Sequence, residues 1–444
     1  MTHVIDPAVT AQNHSAQNHT AQNRTGTAVD LGPARALTCR ECGARTPLAA
    51  EYACARCFGP LEVAYDFGTV TRRSIEAGPR SIWRYRGLLP VPADIDSHPG
   101  TEPGLTRLLR TDRLAAALGV RPGRLWVKDD TGNPTHSFKD RVVAVALAAA
   151  RELGLRVLAC PSTGNLANAV AAAAARAGWR SVVLIPSSLE RAKVLTTAVY
   201  GGALVAVDGT YDDVNRVATE LAAEHEDWAF VNVNVRPYYA EGSKTLGFEV
   251  AEQLGWRLPE QVVVPVASGS QLTKVDKGFR EFAALGLVAE TPYRVYGAQA
   301  TGCSPVSAAF KAGLDVVRPV RPDTIARSLA IGAPADGPYV LDTVRRTGGA
   351  LEDVTDAEVV EGIRLLASTE GVFAETAGGV TVACARKLLD AGALDPDADT
   401  VLLITGDGLK TLDAVAAEVG PQATVRPSAA AVRAVLDSEA AGAP

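Results

Sequence analysis

From residue 125 onward the chain alternates two hydrophobic patterns. Short runs of apolar, often β-branched residues predict strands at 125–128, 157–160, 182–185, 204–207, 229–231, 262–266, 293–298 and 400–404. Between them, apolar residues recur at helical spacing, as at 142–153, 167–177, 212–226, 244–254 and 380–390. Alternation of this kind predicts an α/β protein whose mostly parallel sheets are covered by helices on both faces. Ligands in such sheets bind beyond the carboxyl ends of the strands. The earlier chain is less regular. Residues 66–124 carry weak signals, and 81–89 and the proline-bearing 91–103 read as connecting segments with short helices.

Residues 1–27 are polar and repeat Ala-Gln-Asn-x-Ser/Thr at Ala11, Ala16 and Ala21, so a disordered tail is expected there. His14 and His19 offer loose metal ligation at most, and triplets such as Asn13-His14-Ser15 have no chemical consequence without secretion. The whole chain has 444 residues, enough for more than one domain and a sizeable core. A net charge of -6 with no long basic run argues against nucleic acid as the main partner. No run is long and apolar enough for a membrane span, and no secretory signal is visible, so a cytoplasmic protein is expected.

Seven cysteines argue against a disulfide framework. Four of them form two knuckle-like pairs, Cys39-Arg40-Glu41-Cys42-Gly43 and Cys54-Ala55-Arg56-Cys57-Phe58-Gly59, with eleven residues between the pairs. Glycine lets each backbone turn so that both thiolates face one tetrahedral ion. Cys39, Cys42, Cys54 and Cys57 therefore predict a structural zinc with no open coordination position; four reduced thiols are the alternative. Arg40, Arg45 and Arg56 leave room for a ribbon that binds nucleic acid or a protein partner.

The segment Asn133-Pro134-Thr135-His136-Ser137-Phe138-Lys139-Asp140-Arg141 joins a strand to a helix. Ser137 suits the helix cap and Asp140 the positive end of its dipole, whereas a cation at Lys139 does not. A neutral imine there would remove the conflict, which makes Lys139 a candidate for Schiff-base chemistry; the plain alternative is a surface lysine. Ser162-Thr163-Gly164-Asn165-Leu166 and Ala267-Ser268-Gly269-Ser270-Gln271 each follow a strand and open a helix, where free N–H groups can hold an anion. A simple helix cap accounts for the first loop equally well.

The lysine segment resembles the cofactor-lysine motif of the threonine synthase family, pyridoxal-phosphate enzymes of fold type II. Ser162-Thr163-Gly164-Asn165, Glu241-Gly242-Ser243-Lys244-Thr245, Glu375-Thr376-Ala377-Gly378-Gly379 and Thr405-Gly406-Asp407-Gly408-Leu409-Lys410 extend the likeness, in family order, over most of 39–412. The resemblance implies pyridoxal 5'-phosphate on Lys139, with Asn165 at its phenolic oxygen and Thr405 at its pyridine nitrogen. It places the cofactor phosphate on Ala267, Ser268, Gly269, Ser270 and Gln271, and the substrate carboxylate on Ser162, Thr163, Gly164 and Leu166. The substrate phosphate would meet Asn234, Arg236 and Lys244, although the family's usual arginine place here holds Tyr239. His136 stands where the family often has a small residue, and Glu375 is a wall residue or a capping acid.

The implied organisation is a tail at 1–27, a zinc-ribbon-like element at 28–65, a large cofactor domain from 66–144 and 241–420, a small domain at 145–240 and a C-terminal tail at 421–444. The implied reaction converts O-phospho-L-homoserine and water to L-threonine and phosphate, in a homo-oligomer expected to be a dimer. Cysteate synthase and threonine dehydratase are same-fold alternatives, and a ribbon-mediated binding module on an inactive fold is the alternative from another class.

Overall fold

The computed structural model describes residues 28–94 and 100–442, so the polar repeat and part of 91–103 lie outside the described residues. Three sheets organise the chain. A small antiparallel sheet, in the order β2-β1-β3, is formed by β1 (Ala34–Cys39), β2 (Arg45–Thr46) and β3 (Leu61–Tyr65). The largest sheet draws on both halves of the chain: β4 (Arg107–Arg110), β5 (Leu125–Asp129), β10 (Gln261–Pro265), β11 (Arg294–Ala300), β12 (Leu351–Val354) and β13 (Thr400–Ile404). Its order is β12-β11-β10-β13-β5-β4, parallel except for the β4–β5 edge pair. Between β5 and β10 in sequence lies a parallel four-stranded sheet, β8-β7-β6-β9, made of β6 (Val157–Pro161), β7 (Arg180–Pro186), β8 (Ala203–Val207) and β9 (Trp228–Phe230).

The expected strands all form, with ends shifted by a residue or two. Alternate residues of the central strands serve opposite faces. Val262 and Val264 join one apolar cluster while Val263 joins another, and Val401 and Leu403 separate from Leu402 and Ile404 in the same way. Two layers of helix therefore cover a sheet whose strands are buried on both sides. The weakly patterned region before residue 125 supplies the edge strand β4 and a helix at Asp112–Leu118, and the expected C-terminal tail contains the helix Ala429–Gly442. Among the described residues no helix is long and apolar enough to cross a membrane.

Ion pairs buried between helices tie these parts together. Arg141, fully buried, forks onto Asp130 at 2.7 and 2.8 Å and onto Glu249 at 2.5 and 2.8 Å. Lys128 reaches the same Glu249 at 2.6 Å. Buried charge is tolerated only when paired and hydrogen-bonded throughout. Here the pairing links β5, the loop after it, the Lys139–Glu152 helix and the Lys244–Gln253 helix. A second network joins the small antiparallel sheet to the helix Ser270–Ala284: Lys274 bonds Glu62 at 2.6 Å and Glu241 at 2.8 Å, and Arg40 stacks 3.5 Å above the Tyr339 ring.

Replacing Arg141 by Met leaves the buried Asp130 without its counter-charge and Glu249 with Lys128 alone. The variant is expected to lose about 3–5 kcal/mol in urea unfolding. Burial raises the Glu249 carboxyl, but Arg141 and Lys128 outweigh it and hold the group down at about 2 against the ordinary 4.5. Its contribution to stability is therefore whole above pH 4.5 and lost as pH falls toward 2. A stability–pH curve of the parent protein that stays flat through this window would contradict that assignment.

Candidate active site

Lys139 opens its helix at the carboxyl end of the large sheet. The loop before it is fixed by backbone bonds to the segment after β13: Phe138 N–H donates to Thr405 O at 2.9 Å and Asp407 N–H to His136 O at 3.1 Å. Asp140 accepts from both the N–H and the hydroxyl of Thr135, at 2.8 and 2.9 Å, and burial still pushes its carboxyl up to about 6. Ser137 is not the cap expected from sequence, because Phe138 occupies that position in helical conformation and makes no side-chain cap. His136 turns outward at φ 61°, exposed, with Nδ1 3.2 Å from Thr131 O, and does not line the cleft.

The Lys139 amine lies 4.8 Å from the Phe138 ring centroid. Burial lowers its proton affinity to about 8 from 10.5, against the pull of the Glu375 carboxylate. Desolvation thus supplies what a nucleophilic lysine needs, a sizeable neutral fraction near neutral pH. Around the amine, one cleft gathers Asn165, Tyr239, Ala267, Ser268, Gly269, Ser270, Gln271, Ser328, Glu375 and Thr405.

Asn165 begins the helix Asn165–Ala177 after Gly164, whose φ of 118° and crowding by Lys193, 2.1 Å from an added Cβ, admit only glycine. Its amide donates to both oxygens of Glu375, at 2.8 and 2.9 Å, while its oxygen accepts from Lys410 at 3.1 Å. Ser162 does serve as a local cap: its hydroxyl accepts from Gly164 N–H at 2.9 Å and Ala167 N–H at 2.8 Å. Ser162, Thr163 and Leu166 also line the outer half of the cleft, beside Tyr211, Asn232, Arg236 and Ile331.

The loop 267–271 ends at the N-terminus of the helix Ser270–Ala284. Gly269 precedes it at φ 98° with no side-chain cap, and an added Cβ would lie 2.6 Å from Val340. The first N–H groups of such a helix have no intrahelical acceptor. Gln271 Nε2 and Ser328 Oγ are buried without hydrogen-bond partners on the same cleft. Uncapped N–H groups, a close-approach glycine and orphaned donors form a donor set that fits a phosphate group.

Two residues expected at the substrate phosphate lie elsewhere. Asn234 donates to Trp228 O at 2.9 Å and borders a different cavity beside Leu48 and Leu153. Asn232 is the one in the cleft, bonded to Tyr211 at 3.2 Å with its oxygen unpartnered. Lys244 is fully buried and committed to Leu88 O at 2.9 Å, Glu241 at 2.8 Å and Glu281 at 2.9 Å, so it holds helices together rather than facing ligand. Arg236 does reach the cleft, paired with Asp336 at 2.6 Å. Lys410, Asn232 and Ser328 carry no sequence signal of their own, although Lys410 closes the segment that begins at Thr405.

The four N-terminal cysteines converge. All four sulfurs lie within 4.8 Å of one another, with Cys39–Cys57 at 3.4 Å and Cys42–Cys54 at 3.7 Å. Tetrahedral thiolates about 2.3 Å from zinc stand about 3.8 Å apart. The first knuckle turns on Gly43 at φ 68°. The second turns on Phe58 at φ 60° rather than on its glycine. Gly59 is required instead for packing, since an added Cβ would lie 2.6 Å from Glu41 and 3.0 Å from the Cys39 sulfur.

Comparison with known proteins agrees with this geometry. Residues 101–406 match the family described as pyridoxal-phosphate dependent enzyme. The chain is 38% identical over 369 residues to a threonine synthase of Methanocaldococcus jannaschii, covering 82% of this chain and 89% of that protein. It is 37% identical over 380 residues to one of Methanosarcina acetivorans, covering 84% and 92%. Among solved structures, a fungal L-serine ammonia-lyase from Rhizomucor miehei superposes with a TM-score of 0.59 at 22% identity, covering 68% of this chain and 94% of the other. A processed threonine deaminase isoform from Solanum lycopersicum gives 0.56 at 20%, covering 70% and 88%. These two show the shared fold alone. The lysine in its desolvated cleft, the uncapped helix facing it and the match along most of the chain together make this protein a member of the pyridoxal-phosphate-dependent enzyme family, among its threonine synthases.

Proposed function

We propose that the chain is a threonine synthase, converting O-phospho-L-homoserine and water to L-threonine and phosphate. One observation carries the reading: the desolvated Lys139 amine shares a single cleft with the uncapped Ser270–Ala284 helix, in a chain more than a third identical to threonine synthases. The cofactor, when bound, supplies an electron sink for the negative charge that develops on the substrate carbons. Its phosphate is assigned to the N–H groups of 267–271 with Gln271 and Ser328, its phenolic oxygen to Asn165 and its ring nitrogen to the Thr405 hydroxyl. A hydroxyl there does not force a proton onto the nitrogen, which leaves proton movement to Lys139.

Ser162, Thr163, Gly164 and Leu166 present the end of a second helix to the substrate carboxylate. Arg236, on the outer wall, is assigned to the substrate phosphate, since arginine matches phosphate with forked donors. With the cofactor holding the substrate, the Lys139 amine would take the Cα proton and then a Cβ proton. Phosphate leaves from Cγ, a proton returns to Cγ, water adds at Cβ and Cα is reprotonated. The base works on several adjacent carbons, so the half-buried setting that keeps it neutral also keeps bulk water from intercepting it.

The four-cysteine element is read as a structural zinc site, since four thiolates fill a tetrahedral ion and leave no position for substrate. A cytoplasmic, dimeric enzyme completes the proposal, and sedimentation analysis tests the assembly.

Assayed side by side with phosphohomoserine, phosphoserine plus sulfite, and threonine, the purified protein should yield threonine from the first at much the highest kcat/KM. Sulfonate formation or ammonia release as the dominant activity would replace the assignment with that of a cysteate synthase or a dehydratase. Lys139→Ala should abolish turnover, and borohydride reduction followed by peptide mapping should label position 139 in the parent protein only. Cofactor-free protein should capture pyridoxal phosphate at a rate that rises with pH and levels off above about 8, the value to which burial lowers the amine; a rate still climbing through pH 10 would show an unperturbed lysine. Elemental analysis should find one zinc per chain, and Cys42→Ser should lose it along with several degrees of Tm.

A further inference from the structure

Lys410 has no role in the reaction as written, yet it touches the cleft's most constrained side chain. It lies at the end of the short 3-10 turn Gly408–Lys410, six residues beyond the last residue of β13. Asp407 accepts from Leu409 N–H at 2.8 Å, and an added Cβ on Gly408 would lie 2.4 Å from the Phe373 ring, so the turn has little freedom. The Lys410 side chain is buried, 6% exposed, and its ammonium donates to Asn165 Oδ1 at 3.1 Å. On the other side, Asn165 Nδ2 donates to Glu375 at 2.8 and 2.9 Å.

An ammonium has only donors and a carboxylate only acceptors. The two neighbours therefore permit one orientation of the Asn165 amide, with oxygen toward Lys410 and N–H groups toward the wall it shares with Glu375. Such an orientation is usually ambiguous from atom positions, because amide oxygen and nitrogen look alike. Here the flanking charges decide it.

We propose that Lys410 is a positioning residue that locks the Asn165 amide with its N–H groups facing the cleft, so that Asn165 donates to the anionic phenolic oxygen of the bound cofactor. The inference rests on the cofactor reading of the cleft. Without Lys410 only Glu375 holds the amide, and a turn that brings its oxygen toward that anion, which would repel it, is no longer opposed from the other side. The groups that face Lys410 are Glu375, Asp140, Lys193 and Asp407. Burial lowers the ammonium to about 8, with Glu375 and Asp140 opposing, so the lock is strongest below that pH.

The test compares Lys410→Met, Lys410→Gln and Lys410→Arg, with Lys410→Met also built into Asn165→Ala. Two quantities are read: the pH midpoint of the visible absorbance band of the cofactor-loaded protein, and the pyridoxal phosphate dissociation constant of the cofactor-free protein. Lys410→Met releases the Asn165 N–H from the phenolic oxygen and removes a nearby positive charge, and both losses favour the protonated chromophore. Its midpoint should rise by about one pH unit and its affinity fall roughly fivefold. Gln is neutral but still offers an N–H to Asn165 Oδ1, so it should recover most of the affinity, and Arg most of both quantities. In Asn165→Ala the Met change should add little. A Met variant that behaves like the parent overturns the proposal. So does a Met effect of equal size in both backgrounds, which would mean that Lys410 acts through its charge alone. If the Met variant does not fold, a Gln variant with parent-like cofactor affinity supports the proposal and one with the full fivefold loss overturns it. Failure of the parent protein to develop the band would instead overturn the cofactor reading itself.

Discussion

The fold turns on one buried guanidinium. Arg141 stands two residues after Lys139 and is bound on one side by Asp130, just past β5, and on the other by Glu249 on a helix more than a hundred residues away. A planar fork with five donors satisfies both carboxylates in fixed geometry, which a flexible ammonium would not. The result is that the first turn of the Lys139 helix cannot shift along its axis without exposing uncompensated charge to an apolar interior. Placement of the Lys139 amine is thus secured from behind the helix, by groups buried away from the cleft.

The front of the cleft is built on another principle. Its loops leave donors unspent: an uncapped helix after Gly269 and the orphaned Gln271 and Ser328. Unsatisfied buried polar atoms cost stability, and donors left open beside a cleft are available to a ligand. Glu375 lies at the centre, accepting from Asn165 and facing both Lys139 and Lys410. Two desolvated amines share one carboxylate, so the protonation of each affects the other. The antiparallel element with its four cysteines reaches the same region through Lys274, whose helix presents its N-terminus to the cleft, and through Arg40 on Tyr339.

Several sequence expectations failed for local reasons. Ser137 has the right residue type for a cap but stands one position too early, and the helix starts on Phe138 because the backbone there is held by Thr405. Glycine at the second knuckle looked conformational and proved to be steric, with the strained φ falling on Phe58. Asn234 and Lys244 lie in the expected stretch yet face away. Lys244 in particular is held by Glu241, three residues before it, and by Glu281 and Leu88 O, which only folding brings around it.

The order of strands and helices, the covered parallel sheet, the lysine at a helix start, the small-residue loop at 267–271 and the paired cysteines are all local properties, set by periodicity and by short runs whose chemistry acts within a few residues. Sequence alone determined those. The tertiary structure decided which polar residues meet: that Asn165 is held between Glu375 and Lys410, that Asn232 rather than Asn234 enters the cleft, that Arg236 pairs with Asp336, and that Arg141 braces the whole. Such meetings depend on the register between segments far apart in the chain, and a single residue's shift in turn or helix reverses the direction of a side chain. No pattern read along one dimension carries that information.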